Sequence, residues 1–160
     1  MLKECGLQLN QQKTKIVYCK DSNRKGRGKH EKFDFLGFEF RPRRVQNSKN
    51  GSIFVSFAPA ISPKALRSIR EKVRSWMLTK RTSMTLADIA RDINPVVRGW
   101  LNYFGSFSRS SLKSIRQYID RRLAAWAMRK FKSLHRRLRK TMRWLTQIKE
   151  ENRQLFAHWV

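Results

Sequence analysis

Ile53-Phe54-Val55-Ser56-Phe57-Ala58-Pro59-Ala60-Ile61-Ser62-Pro63-Lys64-Ala65-Leu66-Arg67-Ser68-Ile69-Arg70 is the stretch in which the chain changes its hydrophobic period. Ile53 to Phe57 is rich in β-branched and aromatic residues and reads as a short strand. At Ser62 the pattern turns helical. A serine hydroxyl can accept a bond from an orphan N–H of the first turn, and Pro63 fits the first helical position, where no N–H is needed. Leu66, Ile69, Val73 and Trp76/Met77 then fall on one face, with Lys64, Arg67, Arg70 and Arg74 off it. The expected fold class is α+β and mainly α, with a β-hairpin before this point and helices after it.

Working outward toward the N-terminus, Asn47 to Ser52 reads as a turn with Asn50-Gly51 as its tightest signal. Phe33-Asp34-Phe35-Leu36-Gly37-Phe38-Glu39-Phe40 alternates aromatic with other residues, which predicts one strand paired with Ile53–Phe57. A glycine inside such a strand, as Gly37 is, permits close approach of another backbone or marks a β-bulge. Lys15 to Cys19 is a third short strand, Asp21 to Lys32 a loop, and Glu4 to Asn10 a helix end stopped at Gly6. Three short strands cannot bury two faces, and an uncovered strand edge is an aggregation hazard.

Toward the C-terminus, Thr85 and Asp88 have capping-box spacing for a short helix through Ile93. Asn94-Pro95 repeats the cap-then-proline signal and predicts a separate helix with Val97, Trp100, Leu101 and Phe104 on its apolar side. After the serine-rich break Ser106–Ser111, apolar residues recur at helical spacing from Leu112 to Leu145. That is too long for one ordinary helix, so a kink or split is expected near Lys130 to Ser133. The predicted division is 1–60, 61–130 and a basic extension over 131–160.

Charge restricts the function classes. The chain has 37 Lys+Arg against 11 Asp+Glu in 160 residues, a net charge of +26, and such a surface calls for a polyanionic partner. From Arg121 to Lys149 there are eleven basic residues and no acid. Like charges at helical neighbour positions repel, so a ridge of one sign is costly unless phosphates face it. A basic amphipathic surface also suits an anionic membrane, but the regularly placed Trp and Phe residues read as core and speak against that rival. A hydrophobic content of 40% excludes a disordered tail. No run of eighteen apolar residues is present, the first residues lack signal-peptide order, and no membrane partner is expected. Cys5 and Cys19 have no nearby partners for a metal set and read as reduced thiols of a cytoplasmic protein. The carboxylates form no catalytic group: Asp88 and Asp92 suit a helix start with nearby arginines, and Asp34 has no adjacent acid. His135 and His158 read as surface residues.

Three segments resemble, in order and spacing, the group II intron reverse transcriptase/maturase family. Gly6-Leu7-Gln8-Leu9-Asn10-Gln11-Gln12-Lys13-Thr14-Lys15-Ile16-Val17 is similar to the stretch before the primer grip. Phe33 to Phe40 resembles the primer-grip hairpin at the palm edge. Ile93-Asn94-Pro95-Val96-Val97-Arg98-Gly99-Trp100-Leu101-Asn102-Tyr103-Phe104 resembles the signature of the maturase-specific (X, or thumb) domain. The resemblance covers nearly the whole chain and weakens after about Arg129.

It implies a truncated palm-edge hairpin followed by a helical thumb. Phe35, Leu36, Gly37 and Phe38 would hold the 3′ end of a growing strand. The thumb would grip the template–primer duplex (an RNA–DNA duplex among its targets) and group II intron RNA, assisting folding and splicing. The family's Tyr-x-Asp-Asp motif, whose aspartates hold the metal ions of nucleotide transfer, is nowhere in these 160 residues. It would lie upstream of Met1, so the expected catalytic, metal and cofactor sets are empty: Mg2+ belongs to the missing palm, and an upstream reverse transcriptase half is a possible complementing partner. The zinc endonuclease domain of some relatives is missing too.

The candidate RNA-binding residues are Lys13, Lys15, Lys64, Arg67, Arg70, Arg74, Arg98, Asn102, Tyr103, Arg109, Lys113, Arg116, Arg121 and Arg122. Lys64, Arg67, Arg70 and Arg74 form one phosphate-tracking row; Arg109, Lys113, Arg116, Arg121 and Arg122 form a second. Arg98 and Asn102, four apart on one face, either touch RNA or bond structurally, while Trp100 and Phe104 read as core. A family lysine near position 13 lies beside the active site, and Lys13 and Lys15 both fit it loosely; by themselves they read as solvated. Recognition would rest on phosphates, 2′-hydroxyls and helix shape. The alternative is a stand-alone basic RNA-binding module, or an inert truncated remnant.

Overall fold

The computed structural model describes residues 6, 8, 10, 12, 14–24, 26–47, 49–107 and 109–160. Most of the helix end expected over Glu4–Asn10, together with Cys5 and Lys13, lies outside the described residues. The chain forms two compact units, Met1–Pro59 and Ala60–Val160.

The first unit is built on a three-stranded sheet in the order β1-β2-β3, with β1 at Phe33–Phe35, β2 at Phe38–Gln46 and β3 at Ile53–Ile61. Phe33–Phe40 is therefore not one strand. It folds back on itself at Leu36-Gly37, placing Phe35 opposite Phe38 and Phe33 opposite Phe40. The aromatic alternation survives because a two-residue turn leaves Phe33, Phe35, Phe38 and Phe40 on one face, where Phe33 and Phe40 stack at 4.8 Å. Both turn residues have positive φ, 46° at Leu36 and 80° at Gly37, the requirement of a hairpin turn that matches strand twist. Gly37 takes that conformation without steric cost, so its role is the turn, not a strand or bulge position. Beside the opposed Asp34, Glu39 is buried and held by Arg41 and Arg43, each at 3.0 Å.

Lys15–Cys19 is not a strand either. It is linked to the neighbouring loop by the Tyr18 N–H donating to the His30 carbonyl at 2.8 Å and by the Arg24 guanidinium donating to the Cys19 carbonyl at 3.0 Å. Ser22, in the expected loop, instead serves the outer edge of β3. Its N–H donates to the Val55 carbonyl at 3.0 Å, and its hydroxyl accepts from the Val55 N–H at 2.7 Å. The edge expected to be bare is partly covered.

The second unit holds four helices: α1 at Pro63–Ser75, α2 at Leu86–Gly105, α3 at Leu112–Lys130 and α4 at Leu138–Glu151. Ser62 caps α1 by accepting from the Ala65 N–H at 3.2 Å, with Pro63 in the first turn. Ile69, Val73 and Trp76 of the expected apolar face are buried, whereas Met77 leaves the helix with φ 46° and is exposed. The capping box at Thr85 and Asp88 is formed in both directions, at 3.2 and 3.0 Å.

The two helices expected around Asn94-Pro95 are one. Pro95 lies inside α2 on its exposed side, and Ile93 and Val97, which flank it, are buried. An interior proline costs about 3 kcal/mol. Burial of two β-branched side chains, about 1.5–3 kcal/mol each, is of the size needed to offset that. Asn94 is not a cap. Its amide donates to the Leu155 carbonyl at 2.9 Å and accepts from the Ala157 N–H at 2.8 Å, tying the end of the chain to α2.

α3 is the centre of this unit. Leu112, Ile115, Ile119, Leu123, Ala124, Trp126 and Ala127 are buried. The Trp126 indole N–H donates to the Arg81 carbonyl at 3.0 Å and the Lys130 ammonium to the Met84 carbonyl at 2.6 Å, binding the loop after α1 to α3. The expected split falls at Phe131, whose extended backbone separates α3 from α4. His158, expected on the surface, is buried with Phe156 and Trp159. Its Nε2 and the Trp159 indole N–H both meet Asp120 Oδ1 at 2.9 Å. No local pattern foretells this, because the partner lies 38 residues upstream.

Burial pushes the Asp120 carboxyl up, but the hydrogen bonds from His158 and Trp159, with the charges of His158 and Lys149, hold it below its ordinary value. A carboxylate depressed in the folded state stabilises above its unfolded pKa, about 3.9, and loses that contribution as pH falls through the folded value. Asp120→Asn should therefore lower stability at pH 7 by about 1–3 kcal/mol. In urea titrations, the gap between wild type and variant should close as pH drops below about 4; a gap independent of pH would contradict the charge's role.

Candidate nucleic-acid interface

Two grooves run along the flanks of α3. The first lies between α1 and α3 and encloses about 720 Å³. Arg67, Arg70 and Arg74 enter it from α1, and Arg121, Tyr118, Gln117 and Ser114 from α3. The arginines share this wall because their spacings of three and four repeat the helical turn. Ile69 and Val73 meanwhile bury the inner stripe. The Arg70 guanidinium sits 6.0 Å from the Tyr118 ring centre, a cation–π contact that links the two helices. No carboxylate lines this groove, and among the described residues none of its four arginines forms an ion pair with one. Four guanidinium groups thus face one cleft without an internal counter-charge.

The second groove, about 780 Å³, lies between the end of α2 and α3 and is lined by Asn102, Arg109, Lys113, Arg116, Gln117 and Lys149, among others. Its one acidic side chain is Asp120, which His158 and Trp159 already engage. The Nε of Arg116 is buried without a hydrogen-bond partner. Gln117 lines both grooves, so they adjoin across α3.

The two rows read from sequence are therefore regrouped. Arg121 belongs with Arg67, Arg70 and Arg74 rather than with Arg109, Lys113 and Arg116. Lys64, although exposed on α1, does not line the first groove. Asn102 joins the second groove, whereas Arg98 and Tyr103 are exposed on α2 outside both, the Tyr103 ring meeting Phe104 edge-on at 4.9 Å. Arg122 is half-buried, lines neither groove, and its Nε has no partner. Trp100 stacks on Trp76 at 5.9 Å and Phe104 is buried, as core residues should be.

In the first unit, the four hairpin residues divide. Phe35 and Leu36 are 59% and 67% exposed at the tip, Gly37 makes the turn, and Phe38 is buried. Lys15 borders a separate hollow with Gln12, Val17, Cys19, Lys32, Phe33 and Asp34. Lys13 lies outside the described residues.

Sequence reading missed Gln117, Tyr118 and Lys149 as groove residues. It also missed a hollow at the α3–α4 break, where Phe131 and Trp144 meet Lys140 and Arg143. The available signal was an aromatic inside a basic helical face: Phe131 was absorbed into the apolar pattern, and Tyr118 was not singled out. Among the described residues no group of three or more His, Cys, Asp or Glu is placed to hold a metal, and no helix is long and apolar enough to cross a membrane.

Residues 66–144 match the family model described as the group II intron, maturase-specific domain. The match starts on α1, ends on α4 and contains most of both grooves. No curated protein and no solved structure matches the chain. Residues 66–144 of the helical unit thus carry a group II intron maturase-specific domain.

Proposed function

We propose that the helical unit binds structured group II intron RNA and assists its folding and splicing, seating backbone phosphates in the grooves along α3. The observation that carries this reading is the α1–α3 groove, where Arg67, Arg70, Arg74 and Arg121 converge without a carboxylate inside a maturase-specific domain. Guanidinium groups offer planar, paired donors that match phosphate oxygens. Each phosphate neutralised releases condensed counterions, which drives binding at low salt. The A-form major groove is too deep and narrow for side chains, so contacts fall on phosphates, 2′-hydroxyls and shape. A protein that binds the compact RNA and not its unfolded forms stabilises the compact state by mass action. That is the physical content of assisting an RNA to fold.

The same grooves suit an RNA–DNA duplex, whose geometry is A-like. Gripping a template–primer duplex is accordingly part of the proposal, with Phe35 and Leu36 at the hairpin tip as the strand-end contacts. Nucleotide transfer is assigned to carboxylates and Mg2+ of a separate palm, the complementing half this unit would serve.

The test is fluorescence anisotropy with a labelled duplex RNA in 100 mM KCl, roughly physiological salt. Arg67→Ala/Arg70→Ala/Arg121→Ala should bind on the order of a hundredfold more weakly, at about 1 kcal/mol per lost contact. Its urea unfolding should shift by no more than about 0.5 kcal/mol at Arg67 and Arg121, where no internal ion pair is broken, and by about 0.5–1 kcal/mol at Arg70, whose cation–π contact with Tyr118 is lost. Arg98→Ala, outside both grooves, should change affinity by less than about threefold. Undiminished binding by the folded triple variant would contradict the reading.

A further inference from the structure

Phe131 leaves α3 in an extended conformation, and the chain crosses to α4 through the Lys132–Leu134 turn and Arg136, whose φ is 56°. On α4, Lys140, Arg143, Trp144 and Gln147 share one face at helical spacing and border a hollow of about 410 Å³ against Phe131, Ser133 and Leu134. Trp144 meets Phe131 edge-on, ring centres 5.6 Å apart at 61°. Core packing does not account for the whole indole. Thr141 and Leu145 are buried on α4, whereas Trp144 and Phe131 stay half-exposed.

The rim is cationic. No carboxylate lines the hollow, and among the described residues Lys140 and Arg143 have no acidic partner. The nearby acid Glu151 accepts from the Gln147 amide at 3.1 Å. The groove between α1 and α3 is different in kind: four arginines and a single aromatic ring, Tyr118, suited to backbone phosphates. Two rings framed by two cations suit something flat, apolar on its faces and flanked by negative charge.

We infer that the hollow at the α3–α4 break receives an unstacked nucleobase of the bound RNA, from a bulge or loop, with the base against Trp144 and Phe131 and its flanking phosphates on Lys140 and Arg143. This rests on the RNA-binding reading and deepens it. The grooves along α3 hold the duplex by charge and shape, while this site selects duplexes that carry an unpaired residue. Aromatic stacking accepts any base, since every base has a π-face, and a neighbouring cation strengthens it. The hollow lies in the size range of small-ligand sites.

The experiment uses the full chain and two RNA hairpins of equal length, one fully paired and one with a single bulged 2-aminopurine. Wild type should bind the bulged hairpin about tenfold more tightly and quench 2-aminopurine fluorescence as the base stacks. Trp144→Leu should abolish both the preference and the quenching while leaving affinity for the paired hairpin within about twofold. If that variant does not fold, Lys140→Ala/Arg143→Ala should reduce the preference without touching the aromatic pair. Equal affinities with no quenching by wild type would overturn the base site and leave RNA binding standing. Failure of both hairpins to bind in low salt would overturn both readings.

Discussion

The burial of α3 governs the helical unit. Seven of its nineteen residues are buried, against α1, the turn after α1, α4 and the segment before α4. Each large apolar side chain among them contributes about 1.5–3 kcal/mol of transfer free energy, so α3 cannot be displaced without dissolving the unit. A helix enclosed in this way must put its polar residues into the clefts between its neighbours. Lys113, Arg116, Gln117 and Arg121 are placed there, and both basic grooves follow from that constraint.

Stability and charge pull against one another. The arginines of α1 and α3 repel across the first groove, and no acid inside the groove relieves them. The one acid on α3, Asp120, is committed to the chain end through His158 and Trp159. Leu155 and Ala157 are likewise tied to Asn94. The tail thus serves as a strut across α2 and α3, outside the residues matched to the family, and borders the second groove at Val160. A surface left unneutralised by its own protein is complementary to a phosphate chain, and self-repulsion is relieved when that chain arrives.

Local signals were legible where local chemistry decides the backbone. Ser62-Pro63, the Thr85/Asp88 box and the break near Phe131 were read from capping, proline and length rules, and the helical periods located most of the core. The misreadings share a cause: contacts distant in sequence. Asn94-Pro95 carries the local signature of a helix start. It is overruled because Ile93 and Val97 are buried on either side and Asn94 has partners more than sixty residues away. The aromatic run at Phe33–Phe40 hides its turn, because a two-residue hairpin preserves alternation and Leu36 is not a turn-forming residue. The grooves were half legible: spacing put Arg67, Arg70 and Arg74 on one face, but only the packing of α1 against α3 joins Arg121 to them.

Phosphate neutralisation by these grooves has a thermodynamic signature in the dependence of RNA affinity on salt. A logarithmic plot of the association constant of wild type for duplex RNA against KCl concentration should be steep, corresponding to about six or more released counterions. Each groove arginine removed should lower the slope by about one. A wild-type affinity that stays constant from about 50 mM to about 1 M KCl, or a slope that ignores loss of Arg67, Arg70 and Arg121, would contradict the phosphate-seating role of the grooves.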